Sequence, residues 1–465
     1  MIRRAARAAV PGALCLFLAG CAVGPNYKRP MVPVPDRFYG DERAAEARSL
    51  ADVPWWGVFD DPILKGLIEE AVRNGFDARL SAARVQEARA RYGVVRSQFY
   101  PAVDYSAGWQ RGRANQLLNP SGETQTAWSV DVGFSWELDL WGRIRRNVES
   151  NEASAQASAA DLESTRLSIQ SALAVDYFQL RALDAERKLL DETVDAFARS
   201  LDLTRKRKDQ GVASQGDVAQ AETQLESTRA QAIDVGVQRA QLEHGDRVLV
   251  GQPASDFTLA AVPLDSTPPD IPAGIPSELL ERRPDVAAAE RNAAAANAQI
   301  GVAAAAYYPS ITISPVAGFE TRSLTSLFEA SSLLWSFGAT VTQPLLSGGR
   351  LSANVDIAKA NYDATVATYR RVVLTAMQEV EDGITGLAAL ERADRQARAA
   401  VETARKVLDL ANARYEGGAT TYLDVITAQQ SLLSAERLAA QLGGQRLLIS
   451  VFLIKALGGD WQGPG

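Results

Sequence analysis

The chemistry open to this chain begins with a single thiol. Cys21 closes the run Leu18-Ala19-Gly20-Cys21, which follows Arg3, Arg4 and Arg7 and a short apolar stretch through Leu14, Leu16, Phe17 and Leu18. That order predicts a secretory signal over residues 1–20 ending in a lipobox, with Cys21 left as the mature N-terminus and its sulfur consumed as a thioether to lipid. The apolar stretch falls short of the roughly 20 residues that a membrane-spanning helix needs. Ala22 follows the cysteine, where an aspartate often marks inner-membrane retention, so the outer membrane is the expected address. Cys15 leaves with the signal, and no disulfide or cysteine metal site is expected.

The remaining chemistry is sparse. His244 is the only histidine, which removes histidine-based catalysis and histidine metal clusters, and leaves it as a surface or packing residue on a helix. No nucleophile, base and orienting group stand at a usable spacing, so an enzyme is not expected, nor any cofactor beyond the covalent lipid on Cys21. The formal net charge is −7, and loss of three arginines with the signal makes the mature chain more acidic still, which disfavours nucleic acid as a partner. Asp217 and Asp424 each follow a glycine break, Gly211 in one case and Gly417-Gly418 in the other. A carboxylate there reads first as an N-terminal cap, worth about 1 kcal/mol. The run Arg205-Lys206-Arg207-Lys208 reads as a solvated face.

These residues sit in a duplicated unit. Gly93, Val94, Tyr100 and Pro101 recur as Gly301, Val302, Tyr308 and Pro309 after a shift of just over two hundred residues. Trp128 recurs as Trp335, Gly142-Arg143 as Gly349-Arg350, Gly211 as Gly418, and Asp217-Val218 as Asp424-Val425. The division that follows is a lipidated N-terminal segment over 21–62, a first repeat over 63–252 and a Pro-rich linker over 253–276. A second repeat over 277–458 and a tail over 459–465 complete it.

Each repeat reads as a helix, two strands and a long helical pair. Alanine-rich, proline-free stretches from Asp77 to Gln98 and from Asp285 to Ala306 predict helices that Pro101 and Pro309 end. Alternation of apolar with small or polar residues then predicts strands over 102–110 and 126–138, and again over 310–320 and 333–343. Trp128, Val130, Val132, Phe134 and Trp136 alternate with Ser129, Asp131, Gly133, Ser135 and Glu137. Proline-free stretches from Asn147 to Gln210 and from Ser352 to Glu416 step apolar residues by threes and fours. About 64 residues at 1.5 Å each make a helix of roughly 96 Å. Returning helices begin near Asp217 and Asp424, placing hairpin tips near 211–216 and 417–421.

The strands suit either a soluble sandwich with one wet face or a barrel with one face in lipid, and their length and their Trp and Tyr residues fit the barrel better. Four strands do not close a membrane barrel, which needs about eight or more. Three copies supply twelve and two supply eight, the latter leaving little lumen. A structural lipoprotein bracing the envelope is the alternative in another class. It accounts for the long helices but not for Asp131 and Glu137 on the strand face away from the apolar one.

Gly24-Pro25-Asn26-Tyr27-Lys28-Arg29-Pro30, then Trp55-Trp56 with Phe59, Asp61-Pro62 and Leu64, Arg283-Pro284-Asp285, and Tyr308-Pro309-Ser310 together resemble the TolC-like outer membrane factors. Within them the chain is similar to the NodT-type efflux lipoproteins that serve resistance-nodulation-division pumps. The resemblance implies a mainly α fold with a transmembrane β part: a homotrimer, with a twelve-stranded β-barrel of four strands per chain continuing into a long α-helical barrel. It also implies a mixed equatorial belt, an outer-membrane exit duct, a periplasmic adaptor and an inner membrane resistance-nodulation-division transporter. Asp217, Tyr415 and Asp424 match positions of a periplasmic gate, and Gly211, Gly417, Gly418 and Thr420 match hairpin-tip positions that meet the adaptor. Thr420 and Thr427 depart from the family's pattern, standing where a basic residue and a second aspartate ring lie in other members.

Overall fold

Asp61 and Pro62 begin the first helix because one supplies what the other lacks. The Asp61 carboxylate accepts from the Ile63 and Leu64 amides, and Pro62, which has no amide proton to leave unsatisfied, takes the first helical position. A computed structural model describes residues 22–39, 55–113, 123–253, 258–264, 268–269, 271 and 282–461. The expected signal, the expected lipidation site Cys21, and most of the 253–276 linker lie outside the described residues.

The first pass of elements is α1 (Pro62–Asn74), α2 (Phe76–Arg96), β1 (Ala102–Gly112), β2 (Gln125–Leu138), α3 (Arg143–Asp209) and α4 (Gln215–Val250). The second is α5 (Pro284–Ala305), β3 (Ser310–Ile313), β4 (Val316–Thr321), β5 (Leu333–Ser336), β6 (Ala339–Thr342), α6 (Arg350–Glu416) and α7 (Tyr422–Ala456). Both long helices begin earlier than the apolar stepping indicates. For α3 the reason is Asp139, whose carboxylate accepts from the Ile144 and Arg145 amides at 2.9 Å each and so caps the helix four residues upstream of Asn147.

Two of the four expected strands are interrupted. The strand expected over 310–320 divides into β3 and β4 at Ser314-Pro315, and that over 333–343 divides into β5 and β6 at Phe337-Gly338. Pro315 has no amide proton to give to a ladder. Its carbonyl still accepts from the Phe134 amide at 2.9 Å, and the Gly338 carbonyl accepts from Ser314 at 2.9 Å. The register on β2 therefore runs without a slip from Trp136↔Ile313 to Trp128↔Thr321. The sheet is four antiparallel lanes in the order β1, β2, β3 with β4, and β6 with β5. The strand expected over 102–110 runs on to Gly112.

Register places the apolar residues of successive lanes side by side. Tyr105, Val132, Ala317 and Trp335 form one cross-strand row, and Ala107, Val130, Phe319 and Leu333 the next. Asp104, Ser106, Ser129 and Asp131 alternate to the other face. Gly318 is required where it stands, because a Cβ there would meet the Val130 carbonyl oxygen at 2.3 Å.

The chain divides into two compact units, each with its own packing. One comprises Met1–Met31, Arg84–Ser158 and Ala288–Arg370; the other comprises Val32–Ala83, Ala159–Ala287 and Arg371–Gly465. In the first, the Gly24-Pro25-Asn26-Tyr27 run is anchored by Arg146, which donates to the carbonyls of Val23 and Gly24 and to Asn26 Oδ1. Asn297 donates to the Pro25 carbonyl, and Gly24 at φ +97° lies so close to Gly301 that a Cβ would meet its Cα at 2.5 Å. In the second, Trp55 is fully buried and donates from Nε1 to Gln170, Phe59 packs on Phe178, and Tyr177 donates to Asp61 at 2.6 Å. Arg283, also buried, opens the second repeat by bonding Asp285, Glu379 and the Ala456 carbonyl.

Gly318→Val forces the β2–β4 ladder apart at a cost of about 1–3 kcal/mol. The yield of folded protein drops, while Gly112→Val, with open space around it, leaves that yield unchanged. Equal yields from both variants contradict the register.

Candidate functional site

The hairpin tips are built from the ends of four helices, all within the second unit. Each of α3 and α6 ends in a left-handed glycine. The Gly211 amide donates to Lys208 O and that of Val212 to Arg207 O, with Gly211 at φ +76°. Gly418 repeats this at φ +73°, its amide donating to Tyr415 O and that of Ala419 to Arg414 O. Only glycine takes this conformation without strain, and the paired bonds satisfy carbonyls that the helix leaves open. Gly417 needs no such freedom and continues the helical pattern to Ala413 O.

Asp217 and Asp424 are not the cap residues themselves. Ser214 caps α4, accepting from the Asp217 amide at 3.1 Å, while the Asp217 carboxylate accepts from the Ser214 amide at 2.8 Å, a reciprocal capping box. Thr421 takes the cap position of α7 without a side-chain bond, and Asp424 instead accepts from the Thr420 hydroxyl. Both aspartates thus stand at the third helical position rather than at the helix boundary. The glycine starts the turn, but Ser214 and Thr421 have the extended backbone that a cap requires. Asp217 is half-buried, whereas Asp424 and Thr427 are exposed. The Thr427 hydroxyl donates to its own helix at Leu423 O.

Tyr415 lies beneath this surface. It is buried with Phe197, Leu201, Val218, Leu225, Tyr422 and Val425 in a cluster drawn from both hairpins. Its ring centroid is 5.4 Å from that of Tyr422, whose hydroxyl bonds Ser200 at 2.9 Å. The Arg207 guanidinium lies 4.2 Å over the Tyr415 ring and donates to the Tyr415 carbonyl at 3.1 Å. Burial raises the Tyr415 pKa from its ordinary value, opposed by the Arg207 charge and the adjacent Thr204 hydroxyl. No hydrogen-bond partner meets bonding geometry at the buried Tyr415 hydroxyl, and the nearby Thr204 hydroxyl donates to Ser200 O.

The basic run is only partly a solvated face. Arg205 pairs with Glu222 and Lys206 with Asp202, both at the surface, while Arg207 turns onto Tyr415. Sequence reasoning grouped Arg207 with its neighbours and passed over Ser200, Thr204 and Tyr422. A signal was present: Tyr415 and Tyr422 flank the second tip seven residues apart, a spacing that suits an aromatic pair across a turn. His244, on α4, is exposed.

The sheet of the first unit presents the second functional surface. Tyr105, Trp109, Val132, Trp335 and Val341 are exposed apolar side chains. On the opposite face Asp131 accepts from the Ser106 hydroxyl at 2.8 Å, and beyond it Glu137 pairs with Arg143 at 2.7 Å. Among the described residues neither β1 nor the β6 and β5 lane has a second neighbour, so both sheet edges keep unpaired backbone groups.

Residues 67–248 and 275–459 match the outer membrane efflux protein family. The chain is 32% identical over 463 residues to the probable efflux pump outer membrane protein SepC of Pseudomonas putida, covering 97% of this chain and 96% of that protein. It is 30% identical over 456 residues to the cation efflux system protein CusC of Escherichia coli, covering 97% and 98%. The solved outer-membrane channel OprN superposes with a TM-score of 0.89 at 30% identity, over 95% of this chain and all of that one. Two matches to one family, spanning most of both repeats, join a fold shared with a solved channel: the chain belongs to the outer membrane efflux protein family.

Proposed function

We propose that this protein is the outer-membrane exit duct of a tripartite efflux system, passively conducting substrates that an inner membrane pump delivers. The observation that carries this is the sheet: one continuous apolar face, a polar opposite face, and two edges with nothing paired to them among the described residues. In hydrocarbon each unpaired backbone group costs several kcal/mol, so the edges must be met by sister copies, and three protomers supply a twelve-stranded barrel. The long α3–α4 and α6–α7 pairs form the periplasmic duct, Cys21 carries the lipid, and the partners are a periplasmic adaptor and a resistance-nodulation-division transporter. The equatorial belt draws on the segments over 21–62 and 253–276. A bracing scaffold has no use for a sheet with two chemically distinct faces.

Substrate choice belongs to the pump. One relative is named for cation efflux and another, from Pseudomonas putida, for toluene efflux, so ducts of one fold serve cargo of opposite chemistry. The gate lies at the hairpin tips. Asp217 and Asp424 give each chain two carboxylates there, and a threefold ring of them attracts cations and repels itself. Tyr415 acts from beneath: with Arg207 it ties the first hairpin to the second, filling the role left open by Thr420. Gly211, Gly417, Gly418 and Thr420 shape the surface that meets the adaptor.

Disruption of the gene in its host sensitises cells to dyes, detergents and antibiotics without altering cell shape; unchanged susceptibility together with misshapen cells favours the scaffold. In planar bilayers, Asp217→Asn with Asp424→Asn keeps side chains that still cap a helix but removes the charge, and cation preference falls. Retained preference and conductance reject the carboxylate ring. Arg207→Met removes a contact worth about 0.5–2 kcal/mol and raises the open fraction of single channels. Tyr415→Phe discards a hydroxyl that has no partner, and thermal unfolding stays within about 1 kcal/mol of the parent. A larger loss shows that the hydroxyl itself ties the hairpins.

A further inference from the structure

Most buried charges of the second unit are matched. Asp184 accepts from Arg239 at 2.6 Å, from Arg181 at 3.2 Å and from the Val262 amide. Glu243 accepts from Arg239 and from the Leu259 amide. Arg181 and Arg239 also donate to the Ala260 and Leu259 carbonyls, so two cations and two anions close on one another and hold residues 258–264 against α3 and α4.

Asp246 is different. It lies on α4 one turn beyond Glu243, is 1% exposed, and neither carboxylate oxygen has a hydrogen-bond partner. Across the seam on α3 stands Asp176, whose Oδ2 comes within 4.0 Å of a Cβ placed on the adjacent Gly245 and whose like charge acts on Asp246. On its own helix the charged neighbours are Glu243, already paired, and the buried Arg247. α1 also packs on α4, and there Glu70 is engaged by Gln252. Asp246 further stands four residues before the end of α4, where the helix dipole is negative. A carboxylate with no donor, a like charge across the seam and the wrong end of a dipole does not hold a full negative charge.

We propose that Asp246 keeps a proton at the α3–α4 seam, making the packing of these helices a base-sensitive element of the duct. Burial, then Asp176, then Glu243 push the Asp246 carboxyl up to about 8, with Arg247 acting the other way and ranking last. Burial also raises Asp176. The sign follows. Above its unfolded value of 3.8 the folded state keeps a proton that the unfolded chain gives up, so stability declines as pH climbs toward about 8 and the contribution is lost beyond it. The seam is tight at acid and neutral pH and loosens in an alkaline medium.

The test is thermal unfolding of the full mature protein in detergent, at fixed scan rate, from about pH 6 to about pH 9. The parent loses several degrees of Tm across this range. Asp246→Asn, an uncharged isostere of the protonated acid, flattens that decline and matches or exceeds the parent at the alkaline end. Asp176→Asn removes the like charge that raises Asp246 and moves the end of the decline to lower pH. Infrared difference spectra of the parent, with a protonated carboxyl band at neutral pH that is bleached by base and missing from Asp246→Asn, give a readout independent of stability. An alkaline decline as steep in Asp246→Asn as in the parent, or no such band at neutral pH, overturns the proposal.

Discussion

A backbone amide that leaves water must find a partner, and this sheet cannot provide one for all of its own. β1 gives eleven residues to the ladder with β2 and offers its far side to nothing within the described chain; the β6 and β5 lane does the same at the other end. In water such edges invite aggregation, and in lipid they are excluded outright. In the duct proposed above, the protomer is a fragment of a closed structure. Its apolar rows and its polar opposite face gain their purpose only when the edges meet sister copies in the barrel proposed above.

The helical part meets the same demand differently. A helix satisfies its own backbone except at the ends, and every long helix here has an end that is closed by design. Asp139 caps the start of α3, Gly211 and Gly418 close α3 and α6, and the Ser214–Asp217 box opens α4. What remains is to fix the hairpins against each other. Small residues permit close approach, as at Gly444, where a Cβ would meet Ala182 Cβ at 2.8 Å. Named polar links set the register: Arg437 reaches both Glu186 and Gln231, and Gln430 donates to Gln224.

How legible this was depends on whether the deciding physics was local. The period of two in Trp128–Leu138 and the proline-free stretches after each strand pair announced β2, α3 and α6, because patterning and helix composition are properties of neighbouring residues. The breaks at Pro315 and Gly338 were missed, since an alternating pattern survives the loss of one ladder bond. The family motifs were visible as words whose meaning was not. Only in three dimensions does Gly24 lie against Gly301, Arg283 join Asp285 to Glu379, and Asp61 cap α1 while receiving the Tyr177 proton. At the tips the aspartates were legible as helix-start residues to within three positions. Arg207 was not legible at all, since a run of four cations gives no sign of which one turns inward.

The carboxylates of the second unit show why residue type alone decides little. Asp217 spends its charge on a helix start, Asp184 and Glu243 spend theirs on two arginines and on the backbone of residues 258–264, and Asp246 has no donor to spend it on. The difference between them is the number of N–H groups within reach after burial, and that number is set by packing. Removing one partner from the first three sites leaves an anion without its donor, which is why such networks fix a unique arrangement even when their net contribution to stability is small. For Asp246 the cheapest compensation left is the proton itself. With one histidine in the chain, the titratable element proposed above lies in the packed interior of the helices rather than on the surface where charge is expected.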